Sequence, residues 1–177
     1  MHLRIYDPII LAIDLRHRRF GYAVFEGHRQ LLDWGTRVYP AVGEAEAGMA
    51  RKRLATLLRL FSPSAIVLTK ERVDRAQISS HIRVLVNVIR REASSQSIPI
   101  FLLEESQVRE TFHNLGCETK DEIAAVLSRI FPKLTWDLPL ERELGQSEHP
   151  RMRIFDAVAL GLAYWQHSST RLPPPSD

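Results

Sequence analysis

Two short apolar segments, each followed at once by charged residues, constrain the fold of this chain most strongly. Residues 9–13 read Ile-Ile-Leu-Ala-Ile and lead directly into Asp14, and residues 65–69 lead into Lys70-Glu71-Arg72. Neither segment alternates apolar and polar residues, as a strand with one face in water would. Both are therefore predicted to be central strands that helices cover on both faces.

The segments between and after these two runs complete a mixed sheet. Strands are also predicted over residues 20–25, 30–39 and 98–103, and the main helices over 45–61, 76–93, 123–131 and 151–167. The first three strands are close in sequence and form an antiparallel meander, and the later strands follow helical crossovers. This order predicts an α/β fold with a mixed five-stranded sheet flanked by helices.

Length and composition agree with one globular domain. The chain has 177 residues, of which 45% are hydrophobic and 25% charged. We expect residues 1–167 to form a single domain and residues 168–177, which contain three consecutive prolines, to be a disordered tail. No apolar run approaches the roughly 18 residues of a membrane helix, and the single Cys117 excludes an internal disulfide and a Cys-rich zinc site. A cytoplasmic protein without membrane partners is expected.

Charge is distributed unevenly along the chain. Residues 1–91 contain 16 basic and 8 acidic side chains, whereas residues 92–177 contain 8 basic and 13 acidic ones. Arginine, the better bidentate phosphate ligand, supplies most of the basic side chains. This asymmetry is compatible with a polyanion bound near a carboxylate-lined site, and also with an arginine-rich genome composition.

Three acids occupy positions where such a sheet builds a site. Asp14 and Glu71 follow buried strands, and Asp156 lies in the first turn of the last predicted helix. Each has an ordinary structural explanation alone: a turn residue, a solvated loop charge and a partner for the helix dipole. Together, at the carboxyl ends of neighbouring strands, they would repel one another unless cations lay between them. Oxygen ligands of this kind suit Mg²⁺ or Mn²⁺, and two such ions serve phosphodiester hydrolysis.

Three segments of the chain resemble the RuvC family of Holliday junction resolvases. They are Ile10-Leu-Ala-Ile-Asp14 with Arg18-Arg-Phe-Gly-Tyr-Ala-Val-Phe25, the stretch 108–127 with its glycine turn and Lys120-led helix, and Asp156-Ala-Val-Ala-Leu-Gly-Leu-Ala163. They occur in the family's order and cover most of residues 9–166. The resemblance implies an RNase H-like fold, a homodimer, and a nuclease that cuts branched DNA with two Mg²⁺ or Mn²⁺ ions held by Asp14, Glu71 and Asp156.

The chain departs from the family pattern at three places. Leu15-Arg16 follows the first acid where the family has Pro-Gly, and Arg153 stands where the family has an acid or a histidine. Thr69 falls where the family's glutamate is expected. The second acid is therefore Glu71 if the strand is extended or bulged, and Glu104 or Glu105 otherwise. The cations predicted to contact phosphates are Arg16, Arg18, Arg19, Lys120 and Arg153.

Two further functions remain open on these residues. Arg153 and the altered turn after Asp14 favour an RNase H-like protein that binds nucleic acid but has lost metal catalysis. Half of an actin-like sugar or acetate kinase would also open with a strand, an Asp and a hairpin, but the missing glycines and the short chain argue against it. Apolar residues on more than one face of the helix predicted over 76–93 favour the homodimer.

Overall fold

Five strands form one sheet in the order β3-β2-β1-β4-β5. The structure is a computed structural model that describes residues 7–40, 43–139 and 147–169. The strands are β1 Ile9–Arg16, β2 Arg19–Glu26, β3 Gln30–Val38, β4 Ala65–Thr69 and β5 Ile100–Leu103. The helices are α1 Glu44–Phe61, α2 Lys70–Asp74, α3 Ser80–Ser95, α4 Glu105–His113, α5 Lys120–Ile130 and α6 Met152–Ser169.

The sheet is mixed, as the sequence predicts. β1 pairs with β2 in antiparallel fashion and with β4 in parallel fashion, so it lies at the point where the strand direction changes. β5 continues the parallel half and forms one edge. The carboxyl ends of β1, β4 and β5 therefore meet at one end of the sheet, where open α/β sheets bind their ligands.

Helices cover both faces of the sheet and divide the core into two clusters. Leu11, Ile13 and Leu15 of β1 pack on the side of α1 and α3. Ile10 and Ala12 pack on the side of α4, α5 and α6. Because side chains alternate along a strand, Asp14 belongs to the second side and faces α6.

The first strand is longer than predicted. β1 runs through Asp14 to Arg16, and the turn comprises His17 and Arg18, the latter with a φ of 53°. The predicted strand over residues 9–13 was therefore too short. Arg16 pairs with Arg19 across the hairpin, and the continued alternation places the side chain of Arg16 on the same face as that of Asp14.

The third helix starts later than predicted. Ser79 caps α3 with its hydroxyl, which accepts a hydrogen bond from the backbone N–H of Ile82. Ile78 therefore precedes the helix and is 88% exposed, although it falls within the helix predicted over 76–93. Val88 of α3 is buried within this chain, whereas Val84 is partly exposed. Part of the apolar surface of this helix is thus covered without a partner.

The last helix, α6, extends two residues further than predicted. α6 continues through Ser169, so residues 168 and 169 belong to the helix. The remainder of the predicted tail, residues 170–177, lies outside the described residues.

Candidate functional site

Asp14 is the most deeply buried acid of the site. It lies in β1 opposite Gly21 of β2 and is 4% exposed. The pKa of Asp14 is raised to about 6, first by burial and then by the nearby Asp156, and Arg16 and Arg72 only partly offset both effects. A carboxylate in such surroundings requires a cation close by.

Arg16 supplies that cation and bridges the first and third predicted acids. Its Nε donates to Oδ2 of Asp14 at 2.6 Å, and its Nη2 donates to Oδ2 of Asp156 at 2.6 Å. The first contact follows from the strand, because residues two apart share a face. Burial lowers the pKa of Arg16, but the two carboxylates outweigh burial and raise it. One guanidinium thus lies between the two acids.

The close approach of α6 to the sheet brings Asp156 to this position. A Cβ atom at Gly21 would overlap the backbone carbonyl of Arg153 in the first turn of α6. The absence of a side chain at Gly21 therefore allows the start of α6 to lie directly on β2, beside Asp14. This glycine belongs to the Gly-Tyr-Ala-Val segment on which the resemblance rests.

The second predicted acid, Glu71, lies apart from the Arg16 bridge. β4 ends at Thr69, which is 9% exposed and faces the same cavity as Asp14 and Asp156. Glu71 is two residues further, in α2, and its Oε2 accepts a hydrogen bond from the backbone N–H of Glu105 at 3.0 Å. It therefore satisfies a donor in the first turn of α4. The structure brings Asp14 and Asp156 together, with Thr69 as the β4 side chain beside them.

Additional charged side chains surround this pair. Nε of Arg72 lies 3.8 Å from a carboxylate oxygen of Asp14 and 3.8 Å from one of Glu105. Lys120 at the start of α5 pairs with Glu148 at 2.7 Å and with Asp156 at 3.1 Å. Glu105, one alternative second acid, therefore lies at the site, whereas Glu104 is the N-cap of α4 and its backbone N–H donates to Oε1 of Gln107.

The donor set does not fit the two-metal site that the resemblance implies. Asp14 and Asp156 each accept a short hydrogen bond from Arg16 at Oδ2, so one oxygen of each carboxylate is already engaged by a cation. Thr69 and Arg153 occupy the positions where further ligands are expected. Within residues 7–40, 43–139 and 147–169, no three His, Cys, Asp or Glu side chains are arranged to hold a metal ion. The arrangement is one of internal ion pairs.

Three of the predicted phosphate contacts form a basic surface beside the bridge. Arg18, Arg19 and Arg153 have no carboxylate at ion-pair distance among the residues that the structure describes. Burial lowers the pKa of Arg153, and the positive charges of Arg19 and Arg16 lower it further. Nη1 of Arg153 donates to the carbonyl of Pro150 at 3.2 Å. Cations that repel one another in this way favour an anionic ligand.

Sequence reasoning missed several participants. Arg72 and Arg109 line the cavity beside Asp14, and Glu148 pairs with Lys120. Arg72 directly follows Glu71, so its position after a buried strand was the available signal. Glu148 lies in a polar, irregular segment without any periodic pattern, and nothing in that segment pointed to it.

Comparison with solved structures identifies the fold. Thermus thermophilus RuvC in complex with a Holliday junction substrate aligns with a TM-score of 0.69 and 16% identity, over 93% of this chain and 96% of that one. A second T. thermophilus RuvC structure gives 0.69 and 17% over 92% and 96%. Ydc2, the yeast mitochondrial Holliday junction resolvase, gives 0.50 and 16% over 94% and 84%. The chain therefore has the RNase H-like fold of these resolvases.

No protein-family profile matches the chain, and no curated protein matches it. Among the described residues, no helix is long and apolar enough to span a bilayer.

Proposed function

We propose that this protein binds branched DNA through its RuvC-like fold and holds the DNA without hydrolysing it. The observation that carries the proposal is the bridge in which Arg16 donates to both Asp14 and Asp156 at 2.6 Å. A guanidinium in that position neutralises the carboxylates that a resolvase would use for divalent ions. It cannot activate a water molecule as a metal ion does.

The basic surface of Arg18, Arg19 and Arg153 supports the DNA-binding part of the proposal. All three side chains are partly exposed, and Arg18 and Arg19 lie together at the β1–β2 hairpin. Arginine side chains in a cluster contact phosphates in bidentate geometry and fix a duplex in place without reading its sequence. The likeness to resolvases indicates branched DNA as the substrate class to test first.

The direct test is incubation of the protein with a labelled four-way junction, a linear duplex and a single strand, each with Mn²⁺ and with EDTA. We expect a retarded junction complex in a gel under both conditions and no cleavage product. Arg153→Gln should lower junction affinity about 3- to 10-fold, as loss of one phosphate contact does. The matched control is Arg59→Gln on the exposed end of α1, on the opposite face of the sheet, which should leave affinity unchanged.

A RuvC-type, divalent-metal-dependent endonuclease is the second candidate. It is favoured by two further carboxylates near the site. Glu105 lies 3.8 Å from the guanidinium group of Arg72, and Glu148 lies 3.9 Å from that of Arg16. If DNA drew Arg16 away, Asp14 and Asp156 would be released, with Glu71 or Glu105 as the third acid and Mg²⁺ or Mn²⁺ as the cofactor. Mn²⁺-dependent junction cleavage that Asp14→Asn abolishes would establish this candidate and refute the first.

A homodimer completes the proposal. Ile78 is 88% exposed just before α3, and Val84 in that helix is partly exposed. An apolar surface at this end of α3 suits a second copy of the chain placed about a two-fold axis. Two equivalent basic surfaces would then face two strands of one junction.

A further inference from the structure

A short 3₁₀ helix between α5 and α6, Pro132–Asp137, presents an aromatic ring to water. Trp136 in this helix is 88% exposed, whereas large aromatic side chains are on average well buried. Neither the Arg16 bridge nor the basic surface of the proposed function makes use of this ring. An exposed tryptophan of this kind marks a contact with a second molecule.

The backbone around Trp136 is held at three points. Leu134 is fully buried in the core. Oδ2 of Asp137 accepts a hydrogen bond from Nε1 of Trp34 in β3 at 2.9 Å. The carbonyl of Trp136 itself accepts one from Nη1 of Arg151 at 3.1 Å. The ring therefore stands on a fixed support, which reduces the entropy lost when a ligand packs against it.

Two exposed cations flank the ring. Residues three apart in a 3₁₀ helix lie one above the other, so Lys133 shares a face with Trp136. By the same spacing, Asp137 lies on the buried side with Leu134, and Arg151 adjoins the ring through its bond to the Trp136 carbonyl. Across the described part of the chain, neither Lys133 nor Arg151 has a carboxylate at ion-pair distance. The surface thus combines an aromatic face with positive charge.

This aromatic surface adjoins the basic surface on the same side of the sheet. The backbone of Arg153 lies on Gly21 of β2. Trp34, which holds the 3₁₀ helix through Asp137, pairs with Ala23, two residues further along β2. Two residues of a strand span about 7 Å. One nucleic-acid strand can therefore contact both surfaces.

We propose that Trp136, Lys133 and Arg151 form a platform for single-stranded nucleic acid, with one base stacked on the ring and the adjoining phosphates at the two cations. Every base has an aromatic face, so such a platform binds without sequence preference. Continuity with the basic surface favours nucleic acid over an acidic protein as the occupant. The inference rests on the proposed function, because it adds a single-stranded tail to the branch that the basic surface holds.

The test titrates the protein with a labelled single-stranded oligothymidylate and follows tryptophan fluorescence, which stacking on a base quenches, together with the anisotropy of the label. Trp136→Ala should remove most of the quenching and lower the affinity about 5- to 100-fold, as loss of one base–aromatic stack does. Trp136→Phe keeps an aromatic ring and should restore much of the affinity. Leu60→Ala, which truncates another exposed apolar side chain at the end of α1, is the matched control and should leave both signals unchanged.

Failure of the platform and failure of the proposed function give different results. A fully paired four-way junction should bind wild type and Trp136→Ala equally in a gel, because the basic surface is intact in both. Equal oligothymidylate affinity of wild type and Trp136→Ala would overturn the platform and leave junction binding intact. No junction complex with either protein would overturn the proposed function. Fluorescence that depends on protein concentration without DNA, and loses this dependence in Trp136→Ala, would place the ring between two copies of the chain and also overturn the platform.

Discussion

The surroundings of Asp14 disfavour the charged form of its carboxyl group. It is nearly inaccessible to water, and a second carboxylate lies across the Arg16 guanidinium. Its pKa is raised to about 6 from an ordinary value of 3.8, mainly by burial and then by Asp156. The folded protein therefore binds the Asp14 proton more tightly than the unfolded chain does, and this determines how stability responds to pH.

The stability of Asp14→Asn relative to that of wild type should increase as the pH is raised from acidic to neutral. Because the folded pKa is the higher one, the contribution of Asp14 to stability falls as pH rises from about 4 to about 7. The free energy of unfolding of the variant, relative to wild type, should rise over that interval by about 2–3 kcal/mol, because a shift of one pKa unit corresponds to roughly 1.4 kcal/mol. Urea denaturation at pH 4, 5.5 and 7, followed by circular dichroism, measures it.

The control is Asp74→Asn on the exposed side of α2, which should change the free energy of unfolding by less than about 0.5 kcal/mol throughout. A constant difference between Asp14→Asn and wild type across the three pH values would contradict the raised pKa.

Three single residues separate this site from a metal centre. Combining Arg16→Ser, Thr69→Glu and Arg153→Asp removes the bridging cation and adds two carboxylates at the same end of the sheet. Titration calorimetry should detect Mn²⁺ binding by the triple variant, because oxygen ligands then outnumber cations. Arg153→Asp alone should bind no Mn²⁺, since Arg16 still engages Asp14 and Asp156.

Adding Asp14→Asn to the triple variant should abolish the binding and serves as its control. Tight Mn²⁺ binding by the wild-type protein would refute the interpretation of Arg16 as a resident cation.

The site residues show what a sequence can and cannot predict at this scale. Asp14 and Asp156 were predicted because each adjoins an apolar pattern with a definite end. The contact between Arg16 and Asp14 was not, because it depends on whether β1 stops at Asp14 or continues for two residues. Glu71 and Thr69 differ by two positions, and only the observed end of β4 places Thr69 at the cavity. Such distinctions depend on strand ends, which local patterns specify poorly.

At the scale of elements, the contact between α6 and β2 sets the geometry of the site. The backbone of Arg153 lies against Gly21, so the position of Asp156 depends on a residue that has no side chain. Interiors packed at crystal-like density tolerate added atoms poorly.

Gly21→Ala should lower the free energy of unfolding by about 1–3 kcal/mol, because the added methyl group must displace the start of α6. Gly48→Ala is the matched control, since a Cβ atom there meets nothing within 4 Å. In helix α1 this control should be neutral or stabilising by up to about 1 kcal/mol. Thermal and urea unfolding of both variants would decide, and equal stabilities would contradict the close approach.

Elements with strong local signals were predicted well. Thr119 and Glu122 form a capping box at the start of α5, a strong local signal for the helix predicted over 123–131, and β4 has the predicted bounds. The start of α3 was misplaced because residues 75–77 form a short 3₁₀ turn that continues the apolar spacing without belonging to the helix. Hydrophobic periodicity does not distinguish these two cases.

At the scale of the whole molecule, the proposed homodimer makes a direct prediction. We expect light scattering at tens of micromolar protein to give twice the chain mass of 20.3 kDa. Ile78→Glu combined with Val84→Glu should return the mass to one chain without unfolding it, because both side chains are at least partly exposed. Leu60→Glu at the exposed end of α1 is the control and should leave the dimer intact. A wild-type mass near one chain would remove the homodimer from the proposal.

The Arg16 bridge also has a consequence for how the molecule would behave over time. A divalent ion exchanges with solution, so the charge of a metal-dependent site follows the ionic composition around it. Arg16 is covalently part of the chain and keeps the same charge in the presence of chelators. If the protein holds DNA without hydrolysing it, as proposed above, the lifetime of the complex equals the dissociation time of the DNA. The molecule would thus act by occupancy, shielding a branch from other proteins for as long as it stays bound.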